Sequence, residues 1–166
     1  MSIENKVTES GLITIDLADF YMQGQRALLD IRPLLIEEFL LREKDFREYV
    51  KTNNWSEYKD KFVAITCTND AIIPVWAYML LATALQPFAA RIVFGDLDAL
   101  EMELFREQLS KIDSESFRDQ RVVIKGCGDI EVPVSAFVEL TRKLQPVVKS
   151  IMYGEPCSTV PVFKRK

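Results

Sequence analysis

Residues Val63–Gly95 read VAITCTNDAIIPVWAYMLLATALQPFAARIVFG, and 59 positions on, Val122–Gly154 read VVIKGCGDIEVPVSAFVELTRKLQPVVKSIMYG. Aligned without a gap, Val63/Val122, Ile65/Ile124, Asp70/Asp129, Pro74/Pro133, Val75/Val134, Ala77/Ala136, Leu81/Leu140, Leu85/Leu144, Gln86/Gln145, Pro87/Pro146, Ile92/Ile151 and Gly95/Gly154 are identical. Tyr78/Phe137, Phe94/Tyr153 and Asp96/Glu155 are conservative pairs. Self-similarity at a fixed period decides architecture before local propensity does. Each copy runs from a short apolar strand, through a cysteine-bearing turn, into a proline-started helix and a second strand. The reading is two tandem βαβ repeats.

Working outward, the repeats supply strands at Phe62–Thr66, Arg91–Phe94, Arg121–Lys125 and Ser150–Tyr153, with helices beginning near Pro74 and Pro133. Leu97–Ile112 places Leu97, Leu100, Leu104 and Ile112 on one stripe and is expected to be an amphipathic helix. Upstream, Leu12–Leu17 and Ala27–Ile31 read as strands, and Leu34–Lys51 as a helix. Trp55–Lys61 is a connection whose aromatics cover a core edge. Strands alternating with helices indicate an α/β fold: a three-layer, mostly parallel sheet with an N-terminal α+β extension. Residues 1–61 would pack on the duplicated domain at 62–166 as one structural unit. Whether the N-terminal strands join a sheet edge or form a separate layer is open.

Composition bounds the chemistry. The chain has 166 residues, enough for one sizeable core, and a net charge of -4, which argues against a dedicated nucleic-acid binder. It contains no histidine, which removes Ser-His-Asp and Cys-His catalysis and histidine metal sites together. MSIENKVTES lacks the charged-then-apolar pattern of a signal peptide, so a cytoplasmic setting is expected. Ala71–Ala90 has no charged residue, close to the length of a membrane span. Pro74 and Pro87 shorten that helix, and the duplicate carries Glu139, Arg142, Lys143 and Lys149, so no membrane is expected. The helix from Pro74 would instead be buried on two sides, against its sheet and against the N-terminal segment or a second subunit, making a homodimer the expected assembly.

In open parallel sheets, ligands bind outside the carboxyl ends of the strands. Cys67, Cys127 and Cys157 each follow a strand, and Asp70, Asp129, Asp96 and Glu155 fall at the same edge by the repeat alignment. Three thiolates would suit zinc or an iron–sulfur cluster, leaving a fourth position open. The alternative is that small thiols fill gaps between strands and helices; no C-x-x-C pair is present to decide. Asp70 and Asp129 read either as helix caps or as acid/base groups facing each other across a pseudo-twofold axis. Ser158, beside Cys157, could donate to an anion or satisfy a turn. A thiol-dependent enzyme is a further alternative, with Cys157 beside Ser158 and Thr159 and with Asp129 or Glu155 as proton acceptor. No G-x-G-x-x-G or G-x-x-x-x-G-K motif supports a nucleotide cofactor.

The segments ITCTNDAIIPVWAYMLLATALQPFAARIVFGDLDALE, VVIKGC, PVSAFVELTRKLQP and SIMYGEPCSTVP resemble a bacterial family catalogued as domain of unknown function 2480. The likeness runs from LITIDL to the terminal basic residues. It implies a link to sulfur-mobilisation iron–sulfur cluster assembly, and with it an accessory role, a protein partner in that assembly, and a metal or cluster on Cys67, Cys127 and Cys157.

Overall fold

The computed structural model describes residues 6–7, 11–126, 128–155 and 157–166. Its strands are β1 (Lys6–Val7), β2 (Leu12–Asp16), β3 (Arg26–Asp30), β4 (Phe62–Thr66), β5 (Arg91–Phe94), β6 (Arg121–Lys125), β7 (Ser150–Glu155) and β8 (Ser158–Lys164). The α-helices are α1 (Glu43–Thr52), α2 (Val75–Leu85), α3 (Leu97–Ser110) and α4 (Val134–Leu144). The α/β class with parallel pairing holds, and the strands divide between two sheets, β1-β2-β6-β7-β8 and β3-β4-β5. The N-terminal strands join both sheets: β2 pairs in parallel with β6 and carries β1 outside it, and β3 is the edge strand beside β4.

Contacts separate the chain into two units, Met1–Met22 with Leu104–Lys166, and Gln23–Glu103. In sequence the second is inserted between β2 and β6 of the first. Each is built on the same plan. In the inserted unit the register runs Arg26↔Phe62↔Arg91, and in the other Leu12↔Arg121↔Ser150. The first strand of each ends in an aspartate whose carboxylate accepts from the backbone N–H two residues on: Asp16 from Ala18 and Asp30 from Arg32, both at 3.0 Å. Such a turn ends the strand without orphaning its amides.

The repeat also reaches further upstream than the strand pattern alone reveals. Leu41/Leu100, Phe46/Phe105, Arg47/Arg106, Glu48/Glu107 and Asp60/Asp119 are identical at the same offset, so α1 corresponds to the later turns of α3. Phe46 and Phe105 are both fully buried. Asp60 and Asp119 both adopt positive φ, 60° and 59°, and donate backbone N–H groups to Phe88 and Val147 carbonyls at 3.0 and 2.8 Å. A short polar side chain tolerates this left-handed corner. Gly95 and Gly154 close each repeat at φ 132° and 109°; a Cβ there would stand 2.6 Å from Ala99 Cβ or 2.7 Å from the Ser158 carbonyl oxygen. The glycines are fixed by both conformation and space.

Each unit has its own core. Leu29, Val63, Ile65, Ala77, Leu81 and Leu85 anchor one, and Ile13, Ile15, Val122, Ile124, Leu140 and Leu144 the other. The helices take an i, i+4, i+8 stripe (Ala77-Leu81-Leu85 and Ala136-Leu140-Leu144) onto their sheets. No helix among the described residues is long and apolar enough to cross a membrane.

One expectation needs correction, and one element was not foreseen. The helix read over Leu34–Lys51 starts only at Glu43. Ile36–Leu40 is instead a tight turn with Glu37 and Glu38 at φ 50° and 65°, closed by Ile36 N–H to Leu40 carbonyl at 2.7 Å. The Arg32 guanidinium donates to the Glu38 carboxylate at 2.9 Å and the Asn69 amide to the Glu38 carbonyl at 2.5 Å, so tertiary contacts override helical periodicity. The segment after Cys157, to which the strand pattern assigned no element, is β8, antiparallel to β7. Pro161 and a register shift opposite Ile151 and Met152 broke its alternation, as suits an edge strand.

Candidate functional site

At the carboxyl edge of β3-β4-β5, Asp30 ends β3, Cys67 follows β4 and Asp96 follows β5 by two residues. Asp30 also accepts from the Thr68 N–H at 3.0 Å and the Thr68 hydroxyl at 2.5 Å. Burial acts to raise its pKa, but the Thr68 hydroxyl, the Arg32 and Thr68 N–H groups and the Arg32 charge outweigh it and hold the carboxyl below its ordinary value. Arg32 is held protonated above its usual range by its hydrogen bond to Glu38, with the Glu38 charge next and smaller contributions from Asp30 and Cys67. Cys67 itself is half-buried, packed on the core of its unit. Burial pushes the Tyr78 phenol up, and the nearby Cys67 and Asp30 add to this. The Tyr78 ring meets Phe94 edge-on, centroids 5.1 Å apart.

The matching edge of the other unit is arranged around a cation. Lys125 Nζ lies 3.8 Å from Asp16 Oδ2 and 3.4 Å from Glu155 Oε1, linking the ends of β2, β6 and β7. Phe137 and Tyr153 repeat the edge-on aromatic pair at 5.8 Å. Cys157 is exposed in the turn between β7 and β8, beside exposed Ser158. Cys127 lies outside the described residues.

Cys67 and Cys157 thus belong to different units. Among the described residues no group of three or more Cys, Asp or Glu is placed to hold a metal ion. Asp96 caps α3, accepting from the Ala99 N–H at 2.8 Å. Asp70 and Asp129 are exposed and do not cap the helices that follow: Pro74 and Pro133 occupy the cap positions with no side-chain cap bond. The helices start five residues past the aspartates, directly after the prolines, because each proline fixes its own φ and excludes helix from the residue before it.

The side chains that single-position reasoning passes over lie on the outer helix faces. α2 and α4 have the same burial at every aligned position, with Val75, Met79, Thr83 and Gln86 exposed on one and Val134, Val138, Arg142 and Gln145 on the other. After the second outward position their chemistry diverges. Leu80, Thr83 and Ala84 stand on α2 where Glu139, Arg142 and Lys143 stand on α4. Arg142 pairs with Glu139 at 2.6 Å, and Lys143 donates to the Leu109 and Ser110 carbonyls at the end of α3, at 2.8 and 3.1 Å. α2 is tied to α1 by aromatics instead: Phe46 meets Trp76 edge-on at 5.9 Å, and the Arg47 guanidinium lies over Trp76 at 5.2 Å. On α4, Phe137, Val138, Thr141, Arg142 and Gln145 line an open hollow of about 390 Å³.

Comparison with known proteins finds no matching curated protein and no matching solved structure. A family model described as Protein of unknown function (DUF2480) matches residues 1–165. That match spans nearly the whole chain, and the protein belongs to this family.

Proposed function

We propose that the protein is a non-catalytic interaction protein that engages a protein partner through the outer face of α2 and the adjoining end of β5. The observation that carries this reading is the internal contrast between two helices with one burial pattern. The α4 face also exposes Val134 and Val138, at the positions of Val75 and Met79, but sets Glu139, Arg142 and Lys143 beside them. The α2 face keeps the scaffold and drops every charge from Ala71 to Ala90. Ile72 is 95% exposed, Val75 73%, Met79 63% and Phe94 70%. A contiguous apolar patch at such exposure marks an interaction surface, whereas scattered apolar residues do not. Thr83 fits the same reading, since its hydroxyl donates to the Leu80 carbonyl at 2.7 Å and needs no water.

Methionine oxidation tests this. Met102, 46% exposed, is an internal comparator for Met79. In dilute purified protein both oxidise; in a native extract Met79 is expected to be protected several-fold relative to Met102. Equal oxidation of the two in the extract would overturn the reading.

A second reading keeps the cysteines as ligands for zinc or an iron–sulfur cluster in an accessory role to cluster assembly. What favours it is that Cys67 follows β4 and Cys157 follows β7, both at carboxyl ends of parallel strands. Free Cys67 and Cys157 also suit a reducing, cytoplasmic setting. Elemental analysis and anaerobic absorbance decide it: stoichiometric metal lost in Cys67→Ser and Cys157→Ser supports the site, and no metal in anaerobically purified protein rejects it.

A further inference from the structure

We infer that the partner seated on the α2 face is a second copy of this chain, docked about a twofold axis; this rests on the interaction reading above and names its occupant. In a twofold interface each residue near the axis meets itself, so any charge there meets a like charge. The α2 face satisfies that condition, with Ile72, Val75, Met79, Thr83 and Gln86 all uncharged. The corresponding face of α4 does not, because Glu131 and Arg142 replace Ile72 and Thr83. A face that must meet a partner of different sequence has no reason to be neutral throughout; it gains rate and specificity from complementary charge.

The area is sufficient. Ile72, Val75, Met79 and Phe94 together expose on the order of 500 Å² per copy, so two copies bury about 1,000 Å², the lower bound for a specific interface. Phe94 extends the patch from α2 onto β5, since its ring already packs against Tyr78 on the helix. The outward stripe Val75-Met79-Thr83 has i, i+4, i+8 spacing, the ridge that packs against another helix. Its last member is small and its hydroxyl is internally satisfied, which permits close approach.

Light scattering and sedimentation on the full chain, from nanomolar to high micromolar concentration, test the inference. The native protein is expected to reach twice the chain mass. Met79→Asp is expected to weaken association by at least about 100-fold, and its counterpart Val138→Asp to leave it unchanged. Ile72→Glu, which copies Glu131 at a position almost wholly in solvent, provides a second disruptive variant if Met79→Asp perturbs folding. A native chain monomeric throughout, or Val138→Asp as disruptive as Met79→Asp, overturns the inference. A monomeric purified chain whose Met79 is nonetheless protected in extract rejects the second copy and leaves the interaction reading standing. A monomer with Met79 unprotected rejects both.

Discussion

The two units are one design carried out twice, and their differences separate what the fold requires from what function has added. Both need a parallel three-strand core, a helix with a buried i, i+4, i+8 stripe, an aspartate at the left-handed corner and a positive-φ glycine at the end of the last core strand. They part company at the edges and on the outer faces. The unit holding β2, β6 and β7 has β1 and β8 paired to its outer strands, a lysine between the two carboxylates at its carboxyl edge, and a charged helix. The unit holding β3, β4 and β5 has no added strand among the described residues, threonine in place of that lysine, and an uncharged helix. One copy sets charges beside its exposed valines, Val134 and Val138. The other keeps apolar surface outward.

The largest effects should be those shared by both copies. Leu81→Ala and Leu140→Ala each remove a fully buried side chain and should cost about 2–5 kcal/mol, read by denaturant unfolding. Equal losses would confirm that the cores are equivalent; a loss confined to one would break the comparison. Next come Gly95→Ala and Gly154→Ala, each about 1–3 kcal/mol from positive φ. Neither can be relieved by a side-chain rotation, since the added carbon meets the Ala99 Cβ at 2.6 Å at Gly95 and backbone at 2.7 Å at Gly154.

Asp30→Asn sharpens the comparison at the carboxyl edge, with an expected cost of about 1–2 kcal/mol at neutral pH from weakened charge-assisted bonds to Thr68 and Arg32. The sign in acid follows from linkage. The folded pKa of Asp30 lies below its ordinary value of 3.8, so its contribution is complete above that value and lost as pH falls through the folded one. The deficit of the variant should therefore shrink in stability measurements taken below about pH 4. The smallest effect on folding belongs to the outer face: Ile72→Glu and Thr83→Arg, which install the aligned residues of the other copy, Glu131 and Arg142, should change monomer stability by no more than about 0.5 kcal/mol.

Much of this was legible in the chain before any coordinates. The strands at Phe62–Thr66, Arg91–Phe94 and Arg121–Lys125 form where the apolar runs and the repeat put them. The α1/α3 correspondence was harder to see, because only Phe46/Phe105 and a few polar neighbours survive on surfaces otherwise free to drift. The turn at Ile36–Leu40 was hidden for a different reason: Arg32 and Asn69, distant from it in sequence or lying outside its period, hold Glu38 in a conformation no local propensity favours. The aspartate caps failed because a proline displaced each helix start. The helix faces carry their signal only in the contrast between the two segments; the divergence at Leu80/Glu139 and Ala84/Lys143 means little in either segment alone.

The most direct measurement is oxidation of Met79 relative to Met102 in native extract, made on the double variant Ile72→Glu/Thr83→Arg beside the unaltered chain. Protection of Met79 should be present in the unaltered chain and vanish in a variant that still unfolds at the native temperature. Protection that survives two charges placed on the face would contradict the assignment of α2 as the covered surface.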